Sequence, residues 1–290
     1  MKTKISETVA KILFTSAACV SIAAVIMICI FLLANAFPAI CEIGLFNFLS
    51  GKVWKPSNDV YGILPMILGS LYVTCGAILI GVPVGVLSAI FIVFFAKPKI
   101  AKILNPCVEL LAGIPSVVYG FFGLIVIVPL IRNFFGGTGN SLLAASILLG
   151  IMILPTIITV SVSSLKSVPK SYYEGSLALG ASHEQSVFFS VVPAAKSGII
   201  AGIILGIGRS VGETMAVIMV AGNQARMPNG ILKGVRTLTS NIVMEMGYAS
   251  GLHRETLIAT GVVLFIFILV INLLFSLLKN QEKYWWMKIF

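Results

Sequence analysis

Two charged residues, Arg209 and Glu213, interrupt one long apolar segment of the chain. Arg209 lies twelve residues beyond Ser197, so in a membrane-spanning helix it would be about 18 Å from the start of the span. An arginine at that depth costs from about 2.5 kcal/mol to much more, and such residues commonly mark a transport pathway. A guanidinium group binds oxyanions bidentately, and a glutamate four residues on would share its helix face. Arg209 and Glu213 are therefore candidate pathway residues, with an ion pair that only stabilises packing as the alternative.

The other residues that could do chemistry are scattered. The sequence has two histidines, His183 and His253, and one aspartate, Asp59. They are predicted to fall on opposite sides of a membrane, which prevents a hydrogen-bonded catalytic relay. No cluster has metal-ligand spacing, and no phosphate-binding loop of the Walker A type occurs. We therefore expect no catalytic site, metal or cofactor in this chain, and any ATP and magnesium would be bound by a partner.

The composition is that of a membrane protein. Of 290 residues, 58% are hydrophobic and only 10% are charged, with a mean hydropathy of +1.06. Stretches without any charged residue, each longer than a bilayer requires, cover residues 12–41, 60–96, 110–131, 133–165 and 256–278. This pattern excludes a soluble domain and a disordered chain. The net charge of +10 is explained by contact with anionic membrane lipid, so nucleic acid is not an expected partner.

The apolar stretches predict an all-α integral membrane protein with six transmembrane helices. The first runs from Ile12 to beyond Phe31, which is longer than the apolar core of a cleaved signal peptide, so we expect it to be retained. The other spans are predicted at about residues 64–95, 108–131, 142–164, 197–222 and 257–278.

Lysine and arginine predict the orientation of these spans. With the N-terminus inside, 12 of these residues lie on the cytoplasmic side and 7 on the outer side, in agreement with the positive-inside rule. Both termini are therefore predicted to be cytoplasmic. The outer loop 223–256 carries four basic residues, Arg226, Lys233, Arg236 and Arg254, which we expect to attract anions towards the entrance.

The longest cytoplasmic loop, residues 165–196, is predicted to be structured. Ser171 with Glu174, and Ser182 with Gln185, have the spacing of capping boxes that begin helices. Gly180 lies between them, where a residue in the left-handed conformation can end one helix. Two short helices at a sharp bend could lie on the lipid surface or dock into a partner's groove.

This loop resembles the EAA loop of permease subunits of bacterial ABC importers. Glu174-Gly175-Ser176, Gly180 and Val192-Pro193 match its pattern in residue type and spacing, although Gly175 and Ser176 stand where the family has paired alanines. The segments 109–120 (ELLAGIPSVVYG) and 206–217 (GIGRSVGETMAV), together with 236–247, are similar to those of phosphate-specific permeases in that family.

The resemblance implies a type I importer (MetI-like) bundle in a bacterial plasma membrane. It further implies a sister permease, a pair of ATPase subunits that bind Mg-ATP and a phosphate-binding protein outside, which the outer loop would contact. The expected function is that of the permease subunit of an ATP-driven phosphate importer. A permease for another oxyanion, such as molybdate or sulfate, and an ion-coupled secondary carrier are the alternatives.

The same resemblance assigns roles to positions. An N-terminal span with the first outer loop would occupy residues 1–59, the permease core 60–278 and a cytoplasmic tail 279–290. The residues expected to couple the loop to the ATPase are Glu174, Gly175, Ser176, Leu179, Gly180 and Pro193. The expected substrate pathway contains Arg209, Glu213, Glu109 and Ser116, with an acid at the membrane interface as the alternative role of Glu109.

Overall fold

The computed structural model of the protein describes residues 2–286 of the chain, and the side chains of residue 7 and of residues 9–273. Its architecture is a bundle of long apolar helices, which confirms the predicted all-α membrane fold. Five helical segments of the described chain are long and apolar enough to cross a bilayer, and a pair of helices bent by 69° at Ala195 could form a sixth. The five segments are Val9–Ile43, Leu64–Phe95, Ser116–Phe135, Leu142–Ser167 and Gly251–Leu273.

The helices follow one another with short connections. In chain order they are α1 Lys2–Ile43, α2 Leu45–Ser50, α3 Leu64–Ile90, α4 Pro98–Gly113, α5 Ser116–Phe122, α6 Val128–Phe135, α7 Leu142–Ser167, α8 Lys170–Ala178, α9 His183–Gln185, α10 Val192–Ala194, α11 Lys196–Gly212, α12 Met215–Val220, α13 Leu238–Glu245 and α14 Gly251–Trp286. Wider π-helical turns occupy Phe91–Phe95, Gly123–Ile127 and Ser186–Val191. The first outer loop contains a small antiparallel hairpin, β1 Trp54–Lys55 and β2 Val60–Tyr61, in which Trp54 lies opposite Tyr61.

Helix α7 forms the centre of the bundle. Its middle turns bury Leu148, Leu149, Met152 and Ile153 almost completely, because α3 and α11 pack along it on either side. Because these side chains are closely packed, neither water nor lipid reaches the middle of α7. The neighbouring helices α3 and α11 are therefore positioned against α7.

The third and fifth spans differ from the prediction. The segment predicted as one span at 108–131 contains the end of α4, a break at Ile114 and Pro115, and then α5 and α6. The segment predicted at 197–222 contains α11, a break at Glu213 and Thr214, and then α12. Hydrophobicity alone does not locate these breaks, because apolar side chains lie on both sides of each one.

The two ends of the chain pack differently from the core. Helix α1 is in contact with α14 near its outer end, where Ala36 and Ala39 are buried, whereas most of its earlier apolar side chains are exposed. Helix α14 continues to Trp286, which is past the predicted boundary at residue 278. The side chains of the predicted tail 279–290 lie outside the described residues.

Glycines let α11 approach α7 closely. Gly198, Gly202 and Gly206 recur at intervals of four, and a Cβ atom added at Gly198 would lie 2.6 Å from Cβ of Ser164 on α7. Small residues at this spacing allow helix backbones to come together in a membrane. A Cβ atom at Gly208, on the same helix, would meet nothing within 4 Å. The glycine repeat therefore serves contact with α7 inside the chain.

We expect Gly198→Ala to lower the thermal stability of the detergent-purified protein, because Ser164 has a short side chain that cannot move away. Overpacking of this kind costs about 1–3 kcal/mol. The matched control is Gly208→Ala, which places a better helix former in open space and should leave the melting temperature equal or slightly higher. Equal melting temperatures for the two variants would contradict this account of the α7–α11 contact.

Candidate functional site

At the break in the fifth span, the side chain of Glu213 is hydrogen-bonded to the backbone of the helix that follows. The backbone at Glu213 is extended, with φ −70° and ψ 133°. Its carboxylate Oε1 accepts hydrogen bonds from the backbone N–H groups of Thr214 at 3.1 Å and Ala216 at 3.2 Å. Its carbonyl oxygen accepts a hydrogen bond from the hydroxyl of Thr239 at 3.0 Å. Glu213 therefore satisfies the free N–H groups at the start of α12.

This geometry corrects the prediction that Glu213 lies on one helix face with Arg209. The helix ends at Gly212, so the spacing of four residues no longer places the two side chains one above the other. In the part of the chain that the structure describes, no ion pair joins Arg209 to Glu213. The ion pair on which the packing alternative was based is therefore not formed among these residues.

The break in the third span lies beside the first one. Ile114 is extended, with φ −69° and ψ 127°, and Ser116 is the first residue of α5. The hydroxyl of Tyr119 donates a hydrogen bond to the carbonyl oxygen of Leu111 at 2.8 Å, which reconnects the two sides of the break. Helices α5 and α12 are in contact, and a Cβ atom at Gly120 would lie 3.0 Å from Cα of Ala216. The two interrupted spans thus meet where each resumes.

Arg209 lies at this junction. It is half-buried in the last turn of α11, directly before the break that precedes α12. Ser116, also half-buried, begins α5 one turn before Tyr119. The structure therefore places Arg209 directly before α12, which packs on α5, the helix that begins at Ser116, while the carboxylate of Glu213 is engaged in capping α12.

Glu109 belongs to a different place in the structure. It is exposed on α4 and lines a cavity of about 350 Å³ between α4 and α7. Asn105, one turn earlier on α4, lines it too. The opposite wall carries polar side chains of α7, namely Thr159, Ser163 and Lys166.

The polar wall of this cavity was missed from the sequence, although its signal was present. Thr159, Ser163 and Lys166 are exposed and follow one another at intervals of four and three residues, which places them on one face of α7. Polar side chains on an exposed face of a membrane helix indicate a cavity that contains water or a partner. We name this space, lined by residues 105–109 and 159–166, the inner cleft.

The loop at residues 165–196 is ordered, as predicted, but one of its two capping boxes is absent. Ser182 and Gln185 form a capping box, in which the Ser182 hydroxyl accepts from the Gln185 N–H at 3.2 Å and the Gln185 side chain accepts from the Ser182 N–H at 2.9 Å. Ser171 and Glu174 do not, because α8 begins after Pro169 and Ser171 already lies inside the helix.

Gly180 ends α8 in the predicted left-handed conformation, with φ +88°. The Gly180 N–H donates to the carbonyl of Leu177 at 2.9 Å, and the Ala181 N–H donates to the carbonyl of Ser176 at 3.2 Å. This pair of bonds is a Schellman motif. A side chain at Gly180 would meet no steric obstacle, so the backbone conformation alone requires glycine there.

Aromatic contacts hold the loop against the bundle. The Tyr173 hydroxyl is hydrogen-bonded to Nδ1 of His183 at 2.7 Å across the bend, and the His183 ring lies 4.9 Å from the ring of Phe95 at the inner end of the second span. On the outward side Leu179 is 91% exposed and Phe189 is 81% exposed. The loop therefore presents an apolar surface in a fixed orientation.

The loop is connected to Arg209 through continuous helical turns. Pro193 lies in α10, which is followed by the 69° bend into α11. Ser164 on α7 donates a hydrogen bond to the carbonyl of Ala195 at this bend, at 3.1 Å. The loop thus leads through this bend into the helix that bears Arg209.

A buried polar cluster forms around Glu245 on the side predicted to face outward, and the sequence did not indicate it. Glu245 is only 6% exposed. Its carboxylate accepts hydrogen bonds from Nε1 of Trp54 at 2.9 Å and from Arg236, and lies 2.9 Å from Nε2 of His253. These four residues, the outer cluster, join the first outer loop, the loop before α13 and the start of α14.

The outer cluster corrects the expectation for Arg236. We expected this residue to act with Arg226 and Lys233 as a surface charge, but its guanidinium is bonded inside the protein to Glu245, Asn241 and the carbonyl of Asn223. Removing one partner of a buried charge pair leaves the other charge uncompensated. Arg236 therefore contributes to stability.

Five long apolar helices and a bent pair, with two interrupted segments that meet where α5 packs on α12 and a half-buried arginine directly before one of the breaks, define a helical membrane protein of the transport class. Residues 81–281 match the model of the family described as the binding-protein-dependent transport system inner membrane component. The chain belongs to this family.

Individual relatives agree with the family match. The chain is 41% identical over 287 residues to the probable ABC transporter permease protein YqgH of Bacillus subtilis (strain 168), an alignment that covers 97% of this chain and 93% of the relative. It is 33% identical over 260 residues to the phosphate transport system permease protein PstC of Mesorhizobium japonicum, with 82% of this chain and 79% of the relative covered.

Solved structures confirm the fold of the bundle. The chain matches a subunit of a bacterial alginate ABC transporter with a TM-score of 0.60 at 15% identity, covering 91% of this chain and 92% of that one. It also matches a chain of the MetNI methionine ABC transporter with a TM-score of 0.56 at 20% identity, covering 79% and 99%. The predicted ABC importer permease bundle is thereby confirmed.

We expect Gly180→Ala to weaken the end of α8, because a residue with a Cβ atom pays about 1–2 kcal/mol in the left-handed conformation. The amides of residues 180 and 181 should then exchange with deuterium roughly 5- to 30-fold faster. The control is Gly175→Ala inside α8, where the added methyl group meets nothing within 4 Å. Exchange that is unchanged in both variants would show that the bend does not depend on glycine.

Proposed function

We propose that this chain is the transmembrane subunit that carries inorganic phosphate through the membrane in an ATP-driven importer. The observation that carries the proposal is the half-buried Arg209 at the junction of the two interrupted spans. The similarity to proteins named phosphate transport system permease PstC, from several organisms, supports phosphate as the cargo.

Arg209 suits a phosphate oxyanion in charge and in shape. Its planar guanidinium donates parallel hydrogen bonds to two oxygens of one phosphate group. Because Glu213 caps α12, its carboxylate is held at the break and away from an ion pair with Arg209. The positive charge of Arg209 then provides an intermediate binding site for an anion at the junction, where the low dielectric constant strengthens the attraction.

Ser116 and Glu109 extend the route on either side of this junction. The Ser116 hydroxyl, at the start of α5, is a hydrogen-bond donor for a passing oxyanion. The inner cleft provides a polar exit, in which Lys166 attracts the anion and Glu109 limits the strength with which it is held. A transport pathway requires weak binding at successive sites, because the cargo must also leave.

The energy for transport would come from partner subunits. In the proposed assembly this chain pairs with a PstA-like sister permease, two PstB-like ATPase subunits bind Mg-ATP in the cytoplasm, and a PstS-like protein delivers phosphate from outside. Both termini then lie in the cytoplasm. The exposed residues of the bend support an ATPase contact, since Glu174, Gly175 and Leu179 face solvent.

The bend would convert ATPase movement into movement of the pathway. Ser176 and Gly180 form the Schellman motif that keeps α8 at a fixed angle, and Pro193 lies directly before the bend into α11. When the ATPase subunits approach each other on binding ATP, they would draw α8 with them and shift the population towards an outward-open state.

The proposed function is tested by uptake of labelled phosphate into vesicles that contain this chain. We expect accumulation only when the sister permease, the ATPase subunits, the binding protein and ATP are all present, with phosphate preferred over molybdate and sulfate. Uptake by this chain alone in an ion gradient would instead show a secondary carrier. A preference for molybdate or sulfate would assign a different oxyanion.

Arg209→Gln should reduce phosphate uptake about 10- to 100-fold, because it removes the charge-assisted hydrogen bonds to the anion. Assembly and basal ATP hydrolysis should be unchanged. Arg209→Lys keeps the charge without the planar donor pair and should retain part of the activity. The control is Arg132→Gln, since Arg132 is exposed and bonded to the carbonyl of Thr138. Normal uptake by Arg209→Gln would limit Arg209 to a structural role.

A further inference from the structure

A second cavity, of about 490 Å³, lies between α8 and the inner ends of the membrane spans. Its walls come from the last turn of the second span, the last turn of α7, the start of α8 and the turns after the bend. It is distinct from the inner cleft, with which it shares only Lys166. The cavity thus lies at the inner surface of the membrane, between the bundle and the loop.

The floor of this cavity is apolar. Leu165 and Val191, each 2% exposed, belong to the core at the inner end of the bundle, and the half-buried Phe94 packs against that core. Such a floor offers a space for hydrocarbon and few hydrogen bonds for ordered water, which needs polar partners.

The rim of the cavity is basic. Lys166 in the last turn of α7 and Lys170 at the start of α8 line it together with His183, while Glu174 is the acidic residue among the lining residues. Basic pockets between membrane helices on the cytoplasmic side bind the headgroups of anionic lipids. An apolar floor below a basic rim is complementary to a molecule that has hydrocarbon at one end and a negative charge at the other.

We infer that this cavity binds one anionic glycerophospholipid of the inner leaflet. The headgroup phosphate contacts Lys166 and Lys170, and an acyl chain lies against Phe94, Leu165 and Val191. Free phosphate has no apolar part and leaves the floor uncovered. The lipid fills the space between α8 and the bundle, so that a force on α8 reaches the spans. This role in transmitting force rests on the proposed function, whereas the binding of the lipid does not.

The test measures lipid that remains bound to the assembled complex. The complex is reconstituted into vesicles of phosphatidylcholine mixed with phosphatidylglycerol, extracted in mild detergent and examined by native mass spectrometry. We expect the wild-type complex to retain phosphatidylglycerol. The double variant Lys166→Gln/Lys170→Gln should bind this lipid more weakly than the wild type, by about fivefold for each lysine lost. The double variant Lys166→Arg/Lys170→Arg, which keeps both charges, should retain the lipid.

The matched control is Lys97→Gln/Lys99→Gln. It removes the same charge from exposed positions at the inner surface that do not line the cavity. If both glutamine pairs lose lipid equally, the attraction is that of the whole surface and the site is refuted. Displacement of the bound lipid by millimolar inorganic phosphate would equally refute it, because it would show a site for the free anion.

The outcome for the lipid is independent of the outcome for transport. Retained lipid is counted whether or not the complex takes up phosphate, so a failed uptake assay refutes the proposed function and leaves the lipid site standing. If the wild-type complex takes up phosphate but retains phosphatidylglycerol no better than phosphatidylcholine, the lipid site is refuted and the proposed function stands.

Discussion

The hydrogen bonds that the Glu213 carboxylate accepts from Thr214 and Ala216 are the interaction on which the site depends. A helix that stops inside a membrane leaves backbone N–H groups without partners, and each costs several kcal/mol in hydrocarbon. The carboxylate supplies those partners, and the hydroxyl of Thr239 binds the carbonyl of the same residue. Because Glu213 is committed to its own backbone, Arg209 can lie at the junction without a carboxylate to neutralise it.

The same requirement explains why the two breaks occur together. The third span is reconnected by the bond from Tyr119 to Leu111, and α5 then packs on α12. Helix α7 packs on both α5 and α12 at this junction, and the outer cluster around Glu245 joins the loops before α13 and α14 to the first loop.

The loop at residues 165–196 combines internal hydrogen bonds with an exposed apolar surface. The Schellman motif at Gly180 and the bond between Tyr173 and His183 fix the angle of the bend, while Leu179 projects into solvent. A loop that must transmit force has to resist deformation yet remain accessible, and these contacts meet both conditions. Lys166 lines both the inner cleft and the second cavity beside α8, so the proposed exit route and the loop are neighbours.

The amino-acid sequence by itself determined that this chain is a helical membrane protein and where most spans lie, because these conclusions depend on transfer free energies. It also singled out Arg209 as a charge within an apolar segment and Gly180 as a residue in the left-handed conformation, because burial of charge and local backbone preferences can be read from the sequence. It also identified the capping box at Ser182. Only the tertiary structure decided that Glu213 caps α12, that Arg236 is bonded to Glu245, and that Glu109 faces Thr159 and Ser163 across a cleft. Those pairings join residues whose contact depends on where a helix is interrupted and on how the spans pack, and neither is encoded in the hydrophobicity of a single segment.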